Sequence, residues 1–343
     1  MITEEIWTVS ESDLKKGDKN IYNQLGATEL GLEPAKDFCY RSANKKSIGF
    51  KMDVSGAVAE RFKEIFDLEN YNYGIFKEKL AQSISGDGLE LSKINALHSS
   101  SLCALLMFYN VSDKKPFSID GHTFTNSFFE VKNKVIKSPS NMDVVLTNEA
   151  TKEILFVECK FSEYLSKSEK YDLPKDYKEY KDKGYFGDID FEKETVFPYG
   201  LKQLVAHYIG IDYFRKEEYS PEQLFAFYPN EDDFLRRKTI YDNQMKYEKI
   251  YFMEVVFQLD VGEYGTYIEE TEKVFDALRK IEEGATNKPI EIIGTKTYQE
   301  LFRDNKENLK ILPDKVKMFY FKNELNRWCG FLYAFMKRTT KGD

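Results

Sequence analysis

From Phe124 to Phe161 the chain passes through three apolar stretches, residues 124–136, 142–147 and 154–161. They are separated only by Ser138-Pro139-Ser140-Asn141 and Asn148-Glu149-Ala150-Thr151. Short runs rich in Val, Ile and Phe and bounded by Ser, Pro and Asn read as successive strands joined by turns. Side chains alternate faces along a strand. In the last run Leu155, Val157, Cys159 and Phe161 therefore share one face, and Phe156, Glu158 and Lys160 share the other. A strand this apolar belongs inside a sheet, where two charged residues are costly unless paired or bound to something. Antiparallel pairing about a turn near Ala150 sets Asp143 roughly opposite Glu158. Any fold for this chain must house two carboxylates and an ammonium on one patch of a buried sheet.

The flanking sequence supplies helices for that sheet. Residues 57–68 carry Ala57, Phe62, Ile65 and Phe66 at helical spacing, and residues 73–81 extend a helical hairpin. Residues 94–109 read as a buried apolar helix closed by Ser112-Asp113-Lys114-Lys115-Pro116, and residues 199–214 as a helix with Leu201, Leu204, Val205, Tyr208 and Ile209 inward. Between them, residues 166–194 are charged, tyrosine-rich and poorly periodic, which predicts an exposed loop or mobile insertion. Residues 224–228 and 249–258 read as further strands, and 267–283, 297–303 and 322–336 as helices. The first 50 or so residues read as irregular with one strand at most. Helix, three strands, helix, strand is an α/β order: a mixed sheet flanked by helices. The expected organisation is an N-terminal elaboration (1–90), a core (91–260) with an insertion at 166–195, and a C-terminal helical region (261–343).

With 343 residues the chain can bury a sizeable core, and 42% hydrophobic and 15% aromatic residues exclude a disordered chain. Its apolar runs fall short of the roughly 20 residues that span a bilayer, so no membrane partner is expected. Met1-Ile2-Thr3-Glu4-Glu5-Ile6 lacks the basic and apolar layout of a signal peptide, which predicts a cytoplasmic protein. Cys39, Cys103, Cys159 and Cys329 form no CxxC pair and read as buried free thiols, while the scattered His98, His122 and His207 give no zinc-site spacing. No phosphate loop, dinucleotide fingerprint or nucleophile elbow is present. Fifty basic against 58 acidic residues leave a formal charge of −8, which argues mildly against nucleic acid. A groove needs only a local excess, however. Such excesses occur at Arg41-Lys45-Lys46-Lys51, Lys132-Lys134-Lys137, Arg236-Arg237-Lys238 and Lys337-Arg338, each read as a solvated face when taken alone.

Two nearby carboxylates and a lysine suit metal-assisted phosphodiester hydrolysis: hard oxygen ligands for Mg2+, and a cation to steady developing charge. Asp143, a spacer of fourteen residues, then Glu158-Cys159-Lys160 resembles the PD-(D/E)XK nuclease superfamily, over residues 94–211. The resemblance implies a restriction-endonuclease-like core and a DNA-cutting activity of the kind used in restriction or defence. It implies Mg2+ or Mn2+ held by Asp143, Glu158 and the carbonyl of Cys159. It also implies catalytic work by Lys160 and by Gln203, which matches a glutamine that many members carry on the following helix. A homodimer is a further implication, since nucleases that cut both strands commonly pair. Two departures stand out. Met142 replaces the proline of the name, and residues 94–109 lack the acid that many members carry on the preceding helix, so Glu130 is the substitute candidate for the metal. Leu97-His98-Ser99-Ser100-Ser101 resembles the start of the core helix in bacterial members, bringing His98 and Ser100 near the site. Two other readings compete: a nuclease-like fold that binds nucleic acid without cutting, and an interaction protein using a tyrosine-rich surface.

Overall fold

The computed structural model describes residues 7–16, 21–41, 45, 47–52, 58–85, 90–136, 138–166, 171–191, 196–217, 220–304 and 311–339. The chain start, Lys46, Ala57, Lys137 and parts of the 166–195 insertion lie outside the described residues, as do the side chains of Cys329, Lys337 and Arg338.

Strands β1 (Trp7–Thr8), β2 (Phe38–Tyr40) and β3 (Ile48–Phe50) form a small antiparallel sheet, where at most one strand was expected. Helices α1 (Val58–Phe66) and α2 (Tyr73–Ser83) follow as predicted. Helix α3 (Ser100–Phe108) is shorter than expected because Ser99 caps it, its side chain accepting from the Leu102 N–H at 3.1 Å. A ribbon of β4 (Phe117–Ile119) and β5 (His122–Phe124) leads into the central sheet.

That sheet contains β6 (Asn126–Lys134), β7 (Pro139–Asn148), β8 (Glu153–Lys160), β9 (Lys249–Val256) and β10 (Ile290–Thr297), in the order β10-β9-β8-β7-β6. The β6-β7 and β7-β8 pairs are antiparallel; β8-β9 and β9-β10 are parallel. Parallel neighbours need crossovers. Helices α4 (Lys175–Asp182) and α5 (Pro198–Arg215) lie on the first crossover, and α6 (Gly262–Glu282) forms the second. All eight residues of β8 are buried, as its apolar sequence requires of a central strand. One core layer joins β8 residues Leu155 and Val157 to α3; the other joins Phe156 to α5 and α6. The architecture is thus a mixed sheet flanked by helices. Helix α7 (Asp314–Thr339) packs on α1, with a non-helical kink at Phe321.

Three expectations need correction. Residues 224–228 are not a strand: Pro221–Phe225 is a helical turn closed by a capping box between Ser220 and Gln223. The insertion is not all loop, since α4 forms there with no buried residue. The C-terminal region is not only helical, since it supplies the edge strand β10.

Both edges of the sheet are dressed by side chains. On β6, Gln82 Oε1 accepts from the Phe129 N–H at 3.2 Å, and Arg237 Nε donates to the Phe129 carbonyl at 2.7 Å. Tyr228 and Tyr241 take the N–H and carbonyl of Lys132. Arg237 is fully buried and also donates to the Gln82 and Asp233 carbonyls, so it is no part of a solvated basic face. On β10, Arg279 donates to the Ile292 and Ile293 carbonyls while Glu272 and Glu282 accept from the Thr295 and Ile290 N–H groups.

Candidate active site

The β7–β8 register pairs Val144 with Val157, one step from Asp143 and Glu158, which the same register sets opposite each other. Asp143 Oδ2 accepts from the Cys159 N–H at 2.7 Å, so the backbone of β8 fixes the carboxylate beside Glu158. Lys160 donates to Glu158 Oε1 and, at 2.8 Å, to Gln203 Oε1 on α5. Gln203 can reach β8 because α5 packs closely at its next two turns. Gly210 approaches β6 and β7 so nearly that a Cβ there would stand 2.9 Å from Asn133 Cβ and Ser140 Oγ. Residues 203, 207 and 210 face the sheet together, as spacings of four and three dictate.

Glu130 is the residue between two β6–β7 pairs, Phe129 with Val144 and Val131 with Met142, which sets it across from Asp143. Its φ of 50° lies in the left-handed region, uncommon for a residue with a side chain. Such strain persists where the surroundings over-determine it, and here Gln82, Arg237 and Tyr228 hold the backbone on both sides. Glu130, Asp143, Glu158, Lys160 and Gln203 line one cleft of about 710 Å³. His98 and Ser100 also line it, beside the capped start of α3, so every residue singled out from sequence belongs to this cleft.

The electrostatics follow from crowding three carboxylates around one ammonium. Burial, then Glu158 and Glu130, push the Asp143 carboxyl well above the usual range. Burial opposes ionisation of Glu158 as well, but Lys160 and His207 overcome it and hold its pKa down at about 2. Burial alone would weaken the Lys160 ammonium; Glu158, Glu163 and Asp143 reverse that and raise it. Of the carboxyl groups around the ammonium, Glu158 is thus the one favoured as the anion, and ionisation of Asp143 is disfavoured by burial and by its carboxylate neighbours.

Three groups escaped the sequence reading. His207, noted in the sequence only as lacking zinc-site spacing, brings Nε2 to 2.8 Å from Glu158 Oε2. Neither atom meets hydrogen-bond alignment, so the two stand in close polar contact. Its position four residues after Gln203 was the available signal. Glu254 pairs in register with Glu158 on β9, is fully buried, and accepts from the Tyr267 hydroxyl at 2.6 Å. Burial raises its pKa to about 8. Tyr199, at the start of α5, lines the same cleft and is 62% exposed.

Among the described residues no group of three or more His, Cys, Asp and Glu side chains forms a ready-made metal cage. None of their helices is long and apolar enough to cross a membrane. Comparison with protein-family models, with curated proteins and with solved structures gave no match for this chain.

Proposed function

We propose that this chain is a metal-dependent nuclease with a restriction-endonuclease-like core that hydrolyses phosphodiester bonds of DNA. The observation that carries the reading is Asp143, Glu158 and Lys160 in one cleft, with the ammonium anchored by Gln203 from a neighbouring helix. The donor set fits Mg2+ or Mn2+. Glu158 Oε2 is buried without a hydrogen bond, and Asp143 is crowded by two further carboxylates, an arrangement that a hard divalent cation relieves. Asp143, Glu158 and the Cys159 carbonyl would hold the ion, with Glu130 as the additional acid. Bound there, it supplies Lewis acidity toward a phosphate oxygen and acidifies water.

The chain's own residues do the rest. An ammonium has three N–H donors. Glu158 and Gln203 take two from Lys160, which leaves one for the attacking water or a phosphate oxygen. Because Lys160 is fixed before substrate arrives, little reorganisation is needed as charge develops. Hydrolysis then forms one P–O bond from water and breaks one to the leaving oxygen, which takes up a proton.

A second reading, a nuclease-like module that binds without cutting, is favoured by one feature: His207 already stands against Glu158 Oε2. The test is incubation of purified protein with plasmid, linear duplex and single-stranded DNA plus Mg2+ or Mn2+, beside Lys160→Ala and Asp143→Asn. Cleavage by the parent chain and a loss of about 10²–10³-fold in either variant supports the nuclease. If no DNA is cut under any of these conditions, the non-cutting module takes its place.

A further inference from the structure

We infer that the cleft takes a single strand, with Tyr199 as the platform on which a base stacks beside the scissile phosphate; this rests on the nuclease reading of the same cleft. Tyr199 is 62% exposed, more than any other large apolar or aromatic side chain among the described residues. It stands on the rim of a cleft otherwise lined largely by charged and hydroxyl groups. Its ring is not alone. Lys202, one helical turn further along α5, holds its ammonium 5.1 Å from the Tyr199 ring centre and 5.6 Å from that of Tyr177 in the insertion. Helix α5 thus carries the ring and the cation together beside the cleft, and Tyr177 of the insertion packs on the same cation.

The chemistry of this rim selects its occupant. Duplex DNA presents phosphates on a convex surface and is held by many cations. This chain carries a net charge of −8, and among the described residues the cations lining the cleft are Arg41, Lys93 and Lys160. A concave site of about 710 Å³ falls in the range, roughly 300–1,000 Å³, that encloses a small ligand. An unpaired nucleotide fits that description. Its base has a π-face for tyrosine, and its phosphates match Lys202, Arg41 and Lys93. Stacking then contributes where counterion release is weak, so the binding predicted here depends only mildly on salt.

Fluorescence anisotropy tests this with a labelled 12-nucleotide oligo-dT and a labelled duplex of equal length. Mg2+ is present, and Lys160→Ala prevents cleavage. The expected result is tighter binding of the single strand, weakened about 5- to 150-fold by adding Tyr199→Ala and retained by Tyr199→Phe. Tyr199→Ala leaves the salt slope unchanged, whereas Lys202→Ala lowers it by about 0.7. Equal losses in Tyr199→Phe and Tyr199→Ala, or preference for the duplex, overturn the platform. Cleavage by the parent chain, run in parallel, separates the two proposals. Undiminished duplex cutting by Tyr199→Ala alone removes the platform and leaves the nuclease. Tyr199-dependent oligo-dT binding without any cleavage keeps the platform and removes the catalytic reading.

Discussion

Replacing Glu254 by glutamine removes a buried proton equilibrium beside the site while keeping the shape of the side chain. Glu254 has no exposure to solvent; Oε1 accepts from Tyr267 and Oε2 has no partner. Its pKa rises from an ordinary 4.5 to about 8, through burial above all, with Tyr267 and Lys160 pulling the other way. A carboxyl raised in this way keeps its proton in the folded chain at pH values where the unfolded chain has lost it. Its contribution to stability is therefore complete below about pH 4.5 and is lost as pH rises through about 8. Each pKa unit corresponds to about 1.36 kcal/mol, so the three units from pH 5 to pH 8 cost on the order of 4 kcal/mol. Glutamine does not titrate and keeps an acceptor for Tyr267. Urea unfolding of both proteins at pH 5.5, 7.0 and 8.5 reads the effect as the difference between them. The variant should gain on the parent as pH rises, by roughly 3 kcal/mol between pH 5.5 and 8.5, the gain levelling off above about pH 8 where the folded carboxyl ionises too. A difference that stays constant across the three pH values would mean that Glu254 is ionised in the folded protein, and the argument from its burial would fail.

Other outcomes follow from the same contacts. Arg237→Met strips partners from the Phe129, Gln82 and Asp233 carbonyls; it should cost about 3–5 kcal/mol in chemical denaturation, and a loss below about 1 would contradict its role. Gly210→Ala should lower stability by about 1–2 kcal/mol, overpacking outweighing the better helix propensity of alanine. Because it pushes α5 off the sheet and draws Gln203 from Lys160, cleavage should fall with it; a more stable, fully active variant would refute the close approach. Millimolar Mg2+ should raise the melting temperature of the parent but not of Asp143→Asn. Since Asp143 must give up a proton held by burial, Glu158 and Glu130, Mg2+ affinity should increase with pH; calorimetric titration showing pH-independent affinity would count against Asp143 as a ligand.

The features that locate the site were legible because they are local. Strand alternation, turn residues and an apolar run containing Glu158 and Lys160 determine both the hairpin and the face the charges share. Gln203 was named from the family resemblance, and α5 carries it to Lys160. What stayed hidden depends on contacts between segments distant in sequence. Arg237 sits in an Arg-Arg-Lys triplet that reads as surface, and only the open backbone of β6 explains why the middle residue is buried. Residues 224–228 carry five apolar or aromatic side chains in a row, yet Ser220 and Gln223 already spelled the capping box that makes the segment helical. Strand β10 was missed because Gly294, with φ of 96°, and three polar residues after it dilute the apolar pattern. Its place was decided by a parallel register with β9. Glu254 looked like one acid in an apolar strand, and its meaning emerged only from its register with Glu158.

The side chains that occupy the backbone of β6 and β10 also govern how this molecule meets others. A strand whose carbonyls and N–H groups are taken by Gln82, Arg237, Tyr228, Arg279, Glu272 and Glu282 cannot lend them to a neighbour. Extending the sheet across two copies would require breaking those bonds first. The sheet is insulated at both margins, against runaway stacking and against strand-to-strand pairing alike. A second copy, or a protein partner, that leaves those bonds intact cannot extend this sheet, which keeps the carboxylate-bearing strands at the centre of a sheet of fixed width.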